Sequence, residues 1–277
     1  MLPAVVVDRE LGRRLAVHEA TVHAHNGREL RDLGDGFLLH DPADPEPFWN
    51  RLVAPAWPAA AVAFARRLDE ALIQFASLGR VPHVRTVPLG TAPPDLAERL
   101  LDAGFGVVGH DRAMVLTDTG PALALARSLP ARREVRLDRV KSGPGSRAMD
   151  VARVLVDAFD VESDRIPGLA AESLAAARRP GGSTLLLFAD ERPVAAVRSV
   201  TLGGATYLSS IGTVPVMRGR GYASLLTAIA IVEALAVGTT LVHLLSDASS
   251  DDALRLYERL GFVAVGEPVT DLLLRPG

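Results

Sequence analysis

The 277-residue sequence contains no cysteine. Disulfides, thiolate metal sites and a cysteine nucleophile are therefore excluded. Basic charge is not in excess either: 30 Lys and Arg face 33 Asp and Glu, for a net charge of −3 and a pI near 6.2. That balance offers no electrostatic footprint for nucleic acid. No apolar run is long enough to span a bilayer; the longest, around residues 225–237, is interrupted by Glu233. The first ten residues, Met1 to Glu10, lack the basic region and long apolar core of a signal peptide, so a cytoplasmic protein is the default expectation. Histidines do not gather into a metal site. His18, His23 and His25 are spaced five and two apart, which does not stack them on one helical face, and His40 beside Asp41 is an isolated pair. What remains is a chain that is 48% hydrophobic, ample for sizeable cores, and long enough for two domains. Abundant Ala, Arg, Gly and Pro with little Lys points to a GC-rich bacterial genome.

The densest signal is Arg218-Gly219-Arg220-Gly221-Tyr222-Ala223. It joins a strand-like run, Tyr207 to Val214, to a helix-like run, Ala223 to Ala236. Glycines at such a junction tolerate positive φ and let backbone approach a ligand closely. The orphan N–H groups and dipole of the helix start then favour an anion such as a pyrophosphate, and flanking arginines add charge-assisted contacts. A plain strand–helix turn would explain a lone Gly-x-Gly. The arginines, and the segment Leu256-Tyr257-Glu258-Arg259-Leu260-Gly261-Phe262 some thirty residues on, make the combination more specific.

The run from Val214 to Ala223 resembles motif A of the GCN5-related N-acetyltransferases (GNAT), with its Arg/Gln-x-x-Gly-x-Gly/Ala loop. The run from Ala253 to Phe262 resembles motif B of the same family, in the same order and followed shortly by the chain end. The resemblance implies an α/β (α+β) fold and acetyl-CoA as cofactor. It implies that Arg218, Gly219, Arg220, Gly221, Tyr222 and Ala223 cradle the pyrophosphate, with one arginine facing phosphate and the other solvent. Ile211, Gly212, Thr213 and Val214 would run beside the pantetheine arm, and Tyr257 would return a proton to the departing thiolate. An amphipathic core tyrosine is the plain alternative for Tyr257. Where the family often carries an asparagine seven positions before that tyrosine, this chain has Ser250, a shorter hydrogen-bonding side chain. Many relatives also place a glutamate on the strand before motif A, yet Ala205 to Val214 holds no acid; Tyr207, Ser209, Ser210 and Thr213 are its polar members. Asp157, Asp160, Glu162 and Asp164 lie where the family usually binds the acceptor. They read equally as a lure for a cationic amine or as a solvated surface. His243 reads as a core or edge histidine.

The two halves of the chain end alike. Leu96 to Phe105 and Ala253 to Phe262 each read as an amphipathic helix, a Gly-Phe pair and a strand, with the Gly-Phe pairs offset by 261 − 104 = 157 residues. In the first half Leu100 stands opposite Tyr257, and the region opposite the Gly-rich loop, Ala59 to Phe64, has neither glycine nor arginine. The expected organisation is therefore a degenerate GNAT-like domain over residues 1–118, a linker over 119–133 with a short helix, and an acyl-CoA-binding domain over 134–277. Each domain is expected to be a mixed, mostly antiparallel sheet flanked by helices. Helices are expected at residues 9–25, 59–77, 95–102, 149–159, 168–177, 223–236 and from about 250. Strands are expected at 28–33, 36–40, 83–87, 107–116, 134–138, 184–188, 194–201, 205–214 and 240–246, with a final strand from 263. The expected activity is acetyl transfer from acetyl-CoA to a primary amine of a small molecule or peptide, by direct attack, in a monomer or homodimer. A non-catalytic acyl-CoA-binding sensor is the alternative.

Overall fold

A computed structural model describes residues 8–87, 90–132, 134–143 and 146–275. The first seven residues of the leader reading and Arg133 at the end of the expected linker lie outside the described residues. The chain forms two compact units. Of the described residues, one contains 8–113, 246–251 and 264–275; the other contains 114–245 and 252–263.

In chain order the first unit contributes α1 (Arg9–His25), β1 (Glu29–Asp32), β2 (Phe37–His40), β3 (Arg51–Val53), α2 (Ala61–Ser77), β4 (His83–Thr86), α3 (Leu96–Asp102) and most of β5 (Phe105–Leu116). The second contributes α4 (Gly120–Ala126), β6 (Val135–Arg139), α5 (Ala148–Phe159), α6 (Ile166–Arg178), β7 (Gly182–Ala189), β8 (Arg192–Leu202), β9 (Ala205–Thr213) and α7 (Tyr222–Ala236). It continues through β10 (Leu241–Asp247), α8 (Asp251–Arg259) and β11 (Phe262–Ala264). The last strand, β12 (Val269–Leu274), is assembled with the first unit. The expected final strand from residue 263 is thus two strands, β11 and β12. A three-residue strand, β3, follows Asn50 where none was expected, because three residues are too few to show a period.

In the first unit the strand order is β1-β2-β3-β4-β12-β5. All neighbouring pairs are antiparallel except β3 with β4. Asp8 starts α1 by accepting a hydrogen bond from the Leu11 N–H at 2.8 Å. Successive side chains of a strand face opposite sides. Leu52 and Val84 accordingly join Phe64, Phe75 and Leu100 in the core under α2 and α3, with Leu272 of β12. Their neighbours Arg51, His83 and Arg85 face the other way, toward Glu19 of α1.

That second face is a buried charge layer. Arg51 Nη2 donates to both Glu19 oxygens at 2.6 and 2.8 Å. Arg85 holds Asp271 through Nε at 2.9 Å and Nη2 at 2.6 Å, and Nη2 also reaches Asp111 at 2.9 Å. His83 Nε2 lies 2.7 Å from the same Asp271 carboxylate. Burial alone would raise the Asp271 carboxyl, but Arg85 and His83 beside it hold it well below the usual carboxylate range. Glu19 behaves alike: burial opposes ionisation, and Arg51, His23 and Arg85 carry its carboxyl well below its ordinary value. Five elements far apart in sequence, α1, β3, β4, β5 and β12, are pinned by these pairs, and Arg85 Nη1 joins the two groups by lying 3.5 Å from Glu19.

In the second unit the strand order is β10-β9-β8-β7-β6, antiparallel except for β9 with β10. Leu186, Phe188 and Ala196 face α5 and α6. The alternate residues Leu185, Leu187 and Val197 face α4, α7 and α8. Helix α7 is buried on most sides, which accounts for its long apolar run. Both units contain the succession strand–helix–parallel strand–helix–strand: β3-α2-β4-α3-β5 and β9-α7-β10-α8-β11.

Asp271→Asn should lower stability by about 3–5 kcal/mol, since removing one partner strands a buried guanidinium, read as a shift of the urea midpoint. Both depressed carboxyls contribute stability that is complete above the ordinary carboxylate pKa of about 4 and lost as pH falls below it. The wild-type midpoint should therefore decline in acid, and the Asp271→Asn variant should decline less steeply.

Candidate active site

The centre of the second unit is the end of β9. Its register with β8 pairs Gly212 with Ala196 and Ser209 with Arg198, so Ser210 and Ile211 stand opposite Val197 alone. This is a β-bulge, and Ser210 sits in the left-handed region at φ 51°. On its other side β9 pairs with β10 only from Ala205–Leu241 to Leu208–Leu244. Beyond that point residues 209–213 keep β8 as partner and have no strand partner on the β10 side among the described residues. The two parallel strands diverge there, leaving a row of backbone N–H and C=O groups along β9 for an extended ligand.

Beyond β9 a 3₁₀ turn, Pro215–Met217, leads into the Gly-rich loop. Gly219 and Gly221 have φ of 77° and 76°, and a Cβ on either would meet nothing within 4 Å. Gly221 is the N-cap of α7 and no side chain caps the helix. The first amides of α7 therefore lack intrahelical acceptors. The loop is a cradle with room for an anion.

The two arginines part company. Arg218 Nη2 donates to the Ala158 carbonyl at 2.7 Å, in the last turn of α5, while its Nε lies 3.4 Å from the Thr213 carbonyl. A cation at a helix C-terminus meets the negative end of its dipole. Arg218 thus fastens α5 to the end of β9. Arg220 is exposed and makes no ion pair among the described residues. Gly212 explains how close α5 comes: a Cβ there would lie 2.8 Å from Ala158 Cβ and 3.3 Å from the Phe159 ring.

Of the remaining expected residues, Tyr222 is buried in the core, so only its backbone faces the loop. Tyr257 of α8 is 6% exposed and packs edge-on to Phe262, ring centroids 6.0 Å apart. Burial pushes its phenol well above the ordinary value, so the hydroxyl stays protonated. Ser250 belongs to the first unit, where its N–H donates to the Asp247 carbonyl at 3.1 Å. Asp157 and Asp160 line a cavity of about 790 Å³ with Asp190, Arg192, Val214 and Arg220. Glu162 and Asp164 are exposed and do not line it.

Two features escaped the sequence. His243 is the ladder partner of Tyr207, with ring centroids 5.1 Å apart, one step before the strands diverge. Arg198, 5% exposed in the middle of β8, donates to Glu172 at 3.0 Å and to Ser173 Oγ at 3.2 Å, both on α6. An arginine directly after the apolar run 194–197, within an expected strand, was the available signal, since buried arginines are almost always paired. Among the described residues no group of three or more His, Cys, Asp and Glu could hold a metal, and no helix is long and apolar enough to cross a membrane.

Residues 150–262 match the family model described as acetyltransferase (GNAT) family. No curated protein matches the sequence. Among solved structures, a GCN5-related N-acetyltransferase from Kribbella flavida aligns over 99% of this chain and 98% of its own, with 22% identity and a TM-score of 0.71. A GCN5-related N-acetyltransferase from Sphaerobacter thermophilus aligns over 100% and 96%, with 18% identity and a TM-score of 0.57. A tandem GNAT protein from the clavulanic acid biosynthesis pathway aligns over 79% and 72%, with 14% identity and a TM-score of 0.57. At these identities the likeness is one of fold.

Arg218→Ala should loosen the end of α5 and lower stability by about 1 kcal/mol, as expected for one charge-assisted hydrogen bond to a helix end. Hydrogen exchange should quicken in the last turn of α5. Arg220→Ala should leave both stability and exchange unchanged.

Proposed function

We propose that this chain, whose residues 150–262 match the model described as acetyltransferase (GNAT) family, moves an acetyl group from acetyl-CoA to a primary amine of a small molecule or peptide. The observation that carries the reading is the divergence of β9 from β10 next to an open, uncapped glycine loop. When bound, acetyl-CoA supplies an activated acetyl thioester. The residues fit it. Amides from Gly219 to Ala223 would hold the pyrophosphate at the helix start, with Arg220 neutralising charge from the solvent side and Arg218 keeping the loop's base in place. The free edge of Ile211, Gly212, Thr213 and Val214 would hold the pantetheine arm in extended register. Positioning of this kind supplies several kcal/mol of the barrier.

Tyr257 is the proposed proton donor to the departing thiolate. Burial keeps the phenol protonated but also makes it a weaker acid, so donation to the thiolate depends on direct positioning of the two groups. We read the first half, through residue 118, as a copy of the same fold that has lost the loop, joined by residues 119–133 to the acyl-CoA-binding half. Two features support this: the shared succession of elements, and α2, whose start at Ala60 is uncapped and lies in a stretch without glycine or arginine. One observation favours a second reading, an acyl-CoA-binding module without catalysis: β9 carries no carboxylate to take the amine proton.

Calorimetric titration of acetyl-CoA should find one site on the wild-type chain, lost in Gly221→Glu, where a carboxylate would occupy the anion cradle. No heat with wild type would sink the proposal. Tyr257→Phe should lower kcat by roughly 10²–10⁴-fold with little change in acetyl-CoA affinity. An unaltered kcat would remove Tyr257 from the mechanism, and zero turnover of the wild type over a broad amine panel, with tight cofactor binding, would favour the second reading.

A further inference from the structure

Each unit has one parallel pair of strands, β3 with β4 and β9 with β10, and in both the first strand of the pair leaves the ladder early. The last paired residues are Val53 with Arg85 and Leu208 with Leu244. Just past them each backbone has a non-glycine residue in the left-handed region, Ala54 at φ 49° and Ser210 at φ 51°. Such a conformation costs energy and persists only where its surroundings enforce it. Both backbones bend away from their parallel partners there.

What comes next differs. Residues 209–213 have no strand partner on the β10 side among the described residues. Past β3 the corresponding edge is filled by the chain itself. The Ala92 N–H donates to the Pro55 carbonyl at 2.9 Å and the Trp57 N–H donates to the Ala92 carbonyl at 2.8 Å, forming an isolated parallel bridge between Ala56 and Ala92. The segment before Ala92 is tethered, because the Gly90 and Thr91 N–H groups both donate to the Val87 carbonyl, at 2.8 and 2.9 Å. Gly90 passes so close to α1 that a Cβ on it would lie 2.9 Å from the Arg13 nitrogen and 3.2 Å from its Cα. Arg13 in turn extends Nη1 to the Ala54 carbonyl at 2.8 Å. Ala54, Pro55 and Trp57 therefore have their backbone partners without any ligand.

We propose that residues 90–92 are a built-in occupant of the first unit, a strap lying along the edge that continues β3, where in the second unit the extended arm of the cofactor would lie along β9. This rests on the acetyl-CoA reading and on the shared succession of elements. The first half is then closed to acyl-CoA for two separate reasons. Without a glycine loop it lacks the anion site, and with the strap in place it lacks the edge. An amide-bearing arm reaching Pro55 and Trp57 must break the two hydrogen bonds made by Ala92 and lift Gly90 from α1, and it regains only those two bonds. The strap is also tethered a few residues from its target, so it competes at an effective concentration of millimolar order or above, which a free arm without a phosphate anchor does not match. The β9 edge has no such rival strand among the described residues. The protein therefore takes one acyl-CoA, and only one of its two tracks needs a ligand to be complete.

The test is residue-resolved hydrogen exchange on the full chain, with and without saturating acetyl-CoA. In the wild type the Trp57 and Ala92 amides should exchange slowly without ligand and keep their rates when it is added, while amides in 209–213 slow by about tenfold or more. Gly90→Val should lift the strap from Arg13 and speed exchange at Trp57 by about tenfold or more. Pantetheine at millimolar concentration, which needs no phosphate anchor, should then slow Trp57 again by about twofold or more. Ala92→Pro removes the donor to Pro55 without adding bulk against α1; it should behave alike, and it serves if Gly90→Val does not fold. A Trp57 rate that falls with acetyl-CoA in the wild type, a rate unmoved by either substitution, or one that pantetheine leaves unchanged in the variants would each overturn the strap alone. Absence of slowing at 209–213 would instead overturn the acetyl-CoA reading, and the strap's role as a stand-in with it.

Discussion

Everything at the candidate site depends on one constraint: β9 is held by β8 to its end but released by β10 after Leu208. A parallel strand normally finds hydrogen bonds on both edges along its whole length. Here the bulge at Ser210 and Ile211 bends the strand out of register, and five residues lose one edge. Such unpaired backbone is tolerated only where a ligand or water can satisfy it. The divergence then places the strand's free edge in line with the loop and with the uncapped start of α7. Bulge, free edge and glycine loop form one continuous track, and the chemistry proposed here follows from that continuity.

The track needs a rigid bank, and Arg218 supplies it. The residue type suggests phosphate binding, but its guanidinium is committed to the Ala158 carbonyl. The gain is positional: α5 comes to rest against β9 at Gly212, where only a missing Cβ allows the contact. With Arg218 used for architecture, Arg220 is exposed and makes no ion pair among the described residues. A comparable division of labour holds in the first unit. There the charges that would be costly to bury singly are buried together, and the Asp271–Arg85 pair sets the register of the last strand between β4 and β5. Hydrophobic contacts alone specify that strand only weakly, because sliding it would still bury leucines; sliding would also separate the carboxylate from its guanidinium and from His83.

Local pattern carried a long way. The helix over residues 9–25 was legible because an acidic cap precedes a 3.6-residue apolar period, and its observed ends are the same. The strand pair around Asp190 and Glu191 was legible from its turn residues and flanking apolar runs. The junction from β9 to α7 was legible because glycine has a distinctive backbone use. By contrast β3, the pairing of Arg198 with Glu172, and the face on which His243 lies depend on partners remote in sequence, and no window along the chain contains them.

By itself, then, the sequence determined the kinds of element, most of their limits, and the presence of a glycine-rich loop ahead of a helix, since these rest on local periodicity and on φ values only glycine adopts easily. Only the tertiary structure decided which arginine is structural, where β9 loses its second neighbour, which acids share a cavity, and that the last strand is built into the unit formed by the first half of the chain. The physical reason is the same for all four. Each is settled by what lies across from a residue in space, and charge pairing and strand pairing join residues without regard to their distance along the chain.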